Sequence, residues 1–157
     1  MTEIGARIRD IRLVERLGKG GMGEVFVGVD ERLGREVAVK TMLQARRLDG
    51  TARARFKREA QILSRLEHPN ICRLYDLVEE DGNEYIVLEL VRGKTLREEL
   101  DEGLDDAGRM RVAEQVAAAL VVAHSMTVVH RDLKPENIMV AEGGLVKVLD
   151  FGLARHE

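Results

Sequence analysis

The chain has 157 residues, 45% of them hydrophobic and 34% charged, the balance of an ordinary soluble globular domain with room for one real core. Its 25 basic and 28 acidic residues leave a net charge of −3, which excludes a bulk electrostatic pull toward nucleic acid. No apolar run is long enough to span a bilayer, no signal-peptide core opens the chain, and the single Cys72 can form no internal disulfide, so a cytoplasmic setting is expected.

Residues 1–10 carry mixed charge and read as a loose lead-in. Ile11 to Leu17 alternates as a strand, and Glu24 to Val29 as a second. Between them Gly18, Gly20 and Gly23 form a GxGxxG, a weak signal alone because dinucleotide-binding folds carry it too. Those folds need a helix after the glycines, whereas Val25-Phe26-Val27 is β-branched and aromatic, so the glycines cap a hairpin. Such a hairpin lets backbone N–H groups close over phosphates with no side chain in the way. Val25 would then face the nucleotide base.

Arg35 to Lys40 reads as a third strand, with Ala38 and Lys40 on one face and Val37 and Val39 on the other. Small Ala38 leaves room for a flat ligand, and Lys40 points toward its phosphates. From about Thr51 to Leu66 the pattern is helical. Phe56, Leu63 and Leu66 share a stripe on which Glu59 also falls. A carboxylate on an apolar stripe is costly unless paired, and Lys40 is the candidate partner. His68-Pro69-Asn70 is a turn. Ile71 to Val78 and Glu84 to Leu90 read as strands four and five around Asp81-Gly82-Asn83. Thr95 caps a short helix to Leu100. A longer helix runs from about Asp106 to His124, apolar nearly all round between Val116 and Ala123, a pattern normally buried on every side.

The densest chemistry lies in His130-Arg131-Asp132-Leu133-Lys134-Pro135-Glu136-Asn137. Pro135 donates no backbone hydrogen bond and biases Lys134 away from helix, so this stretch is a loop. Ile138 to Val140 and Leu145 to Leu149 flank Glu142-Gly143-Gly144, a hairpin signal. The resulting ribbon carries Asn137 at its start and Asp150 at its end, an oxygen pair suited to Mg²⁺. Asp132 is left to accept a proton from an incoming hydroxyl.

The loop, followed by Asp150-Phe151-Gly152, resembles the catalytic loop and DFG motif of eukaryotic-type protein kinases. Lys134, two residues past Asp132, is similar to the serine/threonine-specific form. The resemblance implies an α+β, protein-kinase-like fold: an antiparallel five-stranded N-lobe with one long helix over residues 11–88, a hinge at 89–93, and a partial helical C-lobe over 94–157. It implies ATP and Mg²⁺, and protein substrates bearing Ser or Thr. By the same resemblance Lys40, held by Glu59, grips the α- and β-phosphates while Gly18, Gly20 and Gly23 close over the nucleotide. Val25, Ala38 and Met139 sandwich the adenine. Leu88 is the gatekeeper, and backbone groups of Glu89 and Val91 bond the adenine edge. Asp132 orients or deprotonates the hydroxyl, Lys134 steadies the γ-phosphate, and Asn137 and Asp150 hold Mg²⁺.

The kinase pattern continues past the DFG motif into an activation segment, an APE motif and further helices, which the residues up to Glu157 do not include. A chain truncated there is expected to leave its apolar helix uncovered, to self-associate, and to transfer phosphate to proteins near background. The alternative reading is a catalytically inactive kinase fragment acting as a nucleotide-binding or interaction module.

Overall fold

The computed structural model describes residues 3–20, 23–42 and 50–151, so Gly21, Met22 and Gly152 of the two motifs lie outside the described residues. Two compact units make up the chain: Met1–Ala60 with Leu74–Leu90, and Gln61–Arg73 with Val91–Glu157.

In the first unit, runs of β-branched and aliphatic residues pair into one antiparallel sheet. Its strands are β1 (Arg7–Ile8), β2 (Ile11–Gly20), β3 (Gly23–Asp30), β4 (Arg35–Thr41), β5 (Leu74–Glu80) and β6 (Asn83–Glu89), in the order β1-β2-β3-β4-β6-β5. The five expected strands are present, and a sixth precedes them. Residues 7–8 are therefore not a loose lead-in: Ile8 is only 2% exposed, and just upstream the Gly5 N–H donates to the Leu13 carbonyl. Burial of Ile8 with Ile11, Leu13 and Phe26 offsets the entropy of ordering this short strand. The same core takes Val37, Val39, Val78, Tyr85 and Val87. On β4 both faces are covered, since Val37 through Thr41 are all buried. Arg35 lies 4.0 Å over the Tyr75 ring, a cation–π contact that ties the start of β4 to β5.

The fourth expected strand begins at Leu74 rather than Ile71. Ile71 instead makes a single parallel bridge to Val148, and the Cys72 N–H donates to the Val148 carbonyl. Helix α1 (Gly50–Leu63) stops short of the expected Leu66, which closes a turn by donating to the Leu63 carbonyl. Phe56 and Leu63 are buried on one face of the helix, as their spacing requires, and Leu66 is buried in the turn beyond it.

The second unit holds β7 (Gly93–Thr95), α2 (Leu96–Asp101), α3 (Asp106–Ser125), β8 (Ile138–Ala141) and β9 (Val146–Val148). Thr95 caps α2 in a full capping box with Glu98, and the Asp105 carboxylate caps α3 by accepting from the Gly108 N–H at 2.7 Å. The expected ribbon is β8–β9, turned by a single 3₁₀ turn at Glu142–Gly144. A third strand joins it, because β7 pairs with β8 from 45 residues upstream, Thr95 opposite Met139. Gly93 permits this: a Cβ there would stand 2.2 Å from the Val140 carbonyl oxygen. Val112, Ile138 and Val146 form the core of this unit, with Leu96, Leu104, Val116 and Val140 against it. Only Gly108, Val112, Ala119 and Ala123 of α3 are buried, so its apolar character does not translate into burial on every side.

A polar network locks the ribbon to α3. Asn70 is 7% exposed, and its Nδ2 donates to Gln115 Oε1 at 2.8 Å and to the Val146 carbonyl at 2.9 Å. Gln115 Oε1 also accepts from the Val146 N–H, while its Nε2 donates to the Gly144 carbonyl. The Val148 N–H donates to the Asn70 carbonyl. The turn residue Asn70 thus anchors the strand that leads to Asp150.

Candidate active site

The candidate residues fall into two clusters, one in each unit. In the first unit the sheet register sets the geometry. Gly20 pairs with Gly23 and Gly18 with Val25, so the glycines do cap a β2–β3 hairpin and no helix follows them. Val25 pairs in turn with Lys40, and Ala38 with Leu88. Antiparallel pairing of β3, β4 and β6 therefore lines up Val25, Ala38, Lys40 and Leu88 across three adjacent strands. Glu89 closes β6 opposite Val37. Lys40 is buried, at 9% exposure, and Glu59 is half-buried on α1.

The second cluster is built on the 130–137 loop. Pro135–Asn137 forms a single 3₁₀ turn that ends in β8, so Asn137 sits where the loop becomes strand. Asn137 Nδ2 donates to the Asp132 carbonyl at 2.9 Å and to Asp132 Oδ2 at 3.2 Å. Lys134 Nζ lies 3.0 Å from the same Oδ2. A carboxylate receiving an ammonium and an amide on one oxygen is fixed in direction. The structure thus brings Asp132, Lys134 and Asn137 together. Asp150 stands at the same end of the ribbon as Asn137, because the Leu149 N–H donates to the Asn137 carbonyl. Met139 is half-buried on β8 opposite Lys147, and Val91 opens the unit's long segment.

His130, to which the sequence assigned no role, organises this loop. It is 3% exposed, and its Nε2 lies 2.6 Å from the Leu149 carbonyl while Nδ1 accepts from the Asp132 N–H at 3.2 Å. The carbonyl can only accept and the amide can only donate, so hydrogen sits on Nε2 and the lone pair on Nδ1. One imidazole thereby bridges the residue before Asp150 to the backbone of Asp132. The Phe151 ring packs against it edge-on, with centroids 4.8 Å apart. Two non-glycine residues here take left-handed backbone, Arg131 at φ 68° and Asp150 at φ 54°. Strain of that kind persists where surrounding bonds over-determine the conformation, and the His130 bonds flank both positions. No spacing rule in the sequence singles out His130, since its partners are chosen by loop geometry.

Outside the cluster, Arg97 Nε bonds Glu136 at 3.1 Å and ties α2 to the 3₁₀ turn. The Glu136 carboxyl is held below its usual range, first by its own backbone N–H and then by Arg97.

Residues 11–157 match the family described as protein kinase domain. Among similar proteins, the probable serine/threonine-protein kinase PknB of Lactococcus lactis is 39% identical over 159 residues, covering 99% of this chain and 25% of its own length. The serine/threonine-protein kinase PrkC of Bacillus subtilis is 42% identical over 154 residues, covering 96% of this chain and 24% of its own. The solved kinase domain of Mycobacterium tuberculosis PknI superposes with a TM-score of 0.87 at 29% identity, over 98% of this chain and 62% of that one. This chain thus spans about a quarter of the length of these curated relatives. On motif, fold and similarity together, the chain belongs to the protein kinase domain family.

Proposed function

We propose that this chain carries the nucleotide-binding and catalytic-loop portion of a protein serine/threonine kinase, which transfers the ATP γ-phosphoryl group to a Ser or Thr hydroxyl. The observation that carries the reading is the Asp132 carboxylate, fixed on one oxygen by Lys134 and Asn137. A carboxylate so oriented can accept a hydroxyl proton as the oxygen attacks phosphorus. Lys134 beside it places positive charge where the transferring group gathers negative charge. The buried Lys40 is suited to grip the α- and β-phosphates, with Glu59 of the same unit to orient it, and Gly18, Gly20 and Gly23 to leave the hairpin amides open to phosphate oxygens. Val25, Ala38 and Leu88, adjacent across the sheet, offer an apolar wall suited to adenine. The backbone of Glu89 and Val91 is assigned to its edge.

The donor set fits Mg²⁺. Asn137 turns its Nδ2 toward Asp132, leaving Oδ1 as its oxygen donor, and the Asp150 carboxylate stands at the same end of the ribbon. When bound there, Mg²⁺ neutralises phosphate charge. We place the chain in the cytoplasm with ATP and a Ser/Thr-bearing protein as its partners; among the described residues, no helix is long and apolar enough to cross a membrane.

Calorimetry tests the nucleotide half of this reading. The chain should bind Mg-ATP, and Lys40→Ala and Asp150→Asn should each weaken binding. A natively folded sample that gives no ATP heat would overturn the site assignment. Transfer is tested on the full-length gene product, where Asp132→Asn should cost about 10²–10⁴-fold in kcat. Transfer that ignores this substitution would exclude Asp132 as the base.

A further inference from the structure

Next to Lys40, strand β4 presents a side chain to the glycine hairpin. Thr41 is 5% exposed, and its Oγ1 accepts the Glu24 N–H at 2.9 Å. Glu24 follows Gly23, the last of the three glycines, so this bond grips the returning arm of the hairpin where it leaves the loop. The approach is close. Gly23 has φ 143°, and a Cβ on it would stand 1.9 Å from the Thr41 carbonyl oxygen. Glycine at 23 is thus required both by its backbone and by the chain beneath it. The Glu24 side chain reaches the other arm, with Oε1 3.4 Å from Arg16 Nη1 and 3.6 Å from Lys19 Nζ. Exposed ion pairs of that length hold weakly. The buried hydroxyl is the firmer tie.

Strand alternation makes this tie consequential. Lys40 and Thr41 are neighbours whose side chains leave opposite faces of β4. One is suited to the phosphates; the other holds the loop suited to cover them. We propose that Thr41 is a positioning residue: its hydroxyl sets the height of the glycine hairpin relative to Lys40, and through it the affinity for the polyphosphate part of a nucleotide. This rests on the kinase reading above for its ligand, though not for the bond itself.

The test compares Thr41→Val, which keeps shape and removes the acceptor, with Thr41→Ser, which keeps it. Amide exchange at Glu24 is followed without nucleotide, and Mg-ATP and adenosine are titrated separately by calorimetry. In Thr41→Val, Glu24 exchange should accelerate and Mg-ATP affinity fall about two- to tenfold, the span of one hydrogen bond, while adenosine affinity is unchanged. Thr41→Ser should restore both values. Unchanged Glu24 exchange overturns the proposal, as does equal weakening of Mg-ATP and adenosine, which marks general loosening of the sheet. A wild-type chain that binds neither ligand refutes the kinase reading and with it the positioning role. Exchange at Glu24 still decides in that case whether Thr41 holds the loop.

Discussion

A single imidazole carries much of the order of the 130–137 loop. His130 donates to the Leu149 carbonyl and accepts from the Asp132 N–H, so removing it strands a carbonyl beside Asp150 and loosens the backbone of Asp132. His130→Ala should destabilise the chain by about 1–3 kcal/mol from unmade hydrogen bonds alone, with a further loss where Phe151 no longer has a ring to pack on. Urea unfolding measures it. A midpoint equal to wild type would mean the bridge contributes nothing. The imidazole nitrogen shifts should also report hydrogen on Nε2 and none on Nδ1, and the reverse pattern would exclude the bond directions assigned here.

At the scale of elements, two local devices and one long-range network can be separated by experiment. The α3 cap is local: Asp105→Ala removes the acceptor for the Gly108 N–H and should cost about 0.5–2 kcal/mol by thermal or urea denaturation. The α2 capping box is local and pH-sensitive. Glu98 is held below its ordinary 4.5 chiefly by the Thr95 backbone N–H, then by the Thr95 hydroxyl. Because its folded value is depressed, its contribution is complete above about 4.5 and is lost as pH falls through the lower folded value. Glu98→Gln should therefore flatten the pH dependence of α2 helicity below 4.5, and an unchanged acid profile would count against the box. The Asn70–Gln115–Val146 network is long-range. Asn70→Ala leaves the Val146 carbonyl and Gln115 Oε1 short of a donor, at about 1–3 kcal/mol for a stranded buried group. It should also speed amide exchange along β9, which an Asp105→Ala protein should not show.

Across the whole molecule, each unit has its own apolar core, and the second leaves apolar surface uncovered. Met110, Ala113, Ala117 and Val121 recur at helical spacing along α3 and all are exposed, Met110 at 62% and Val121 at 69%. Val129 and Leu133 add exposed aliphatic surface in the same unit. Exposed apolar surface of this kind favours association. The chain should bind a hydrophobic dye and associate with rising concentration in sedimentation experiments, and Val121→Glu should reduce both without changing the circular dichroism. A monodisperse wild-type monomer that binds no dye would refute this.

What the sequence by itself determined is local or chemical. Alternation placed β2 and β4, β-branched and apolar runs placed β3 and β6, apolar spacing placed α1 and apolar content placed α3, Thr95 marked the start of α2, and the residue types of the 130–137 loop with Asp150 suggested a chemistry at short spacing. These features depend on neighbours within one turn or one hairpin, which the chain order states directly. Tertiary structure decided the rest. Residues 7–8 became a strand because Ile8 found a core to enter, and β7 became one because the ribbon offered an open edge 45 residues downstream. The β5 boundary moved to Leu74 because Ile71 and Cys72 paired with Val148 instead. His130, Asn70 and Thr41 took their roles from partners at sequence distances of 19, 76 and 17 residues. Polar side chains at such separations are satisfied by whichever backbone group packing delivers to them, and no period in the sequence encodes that choice.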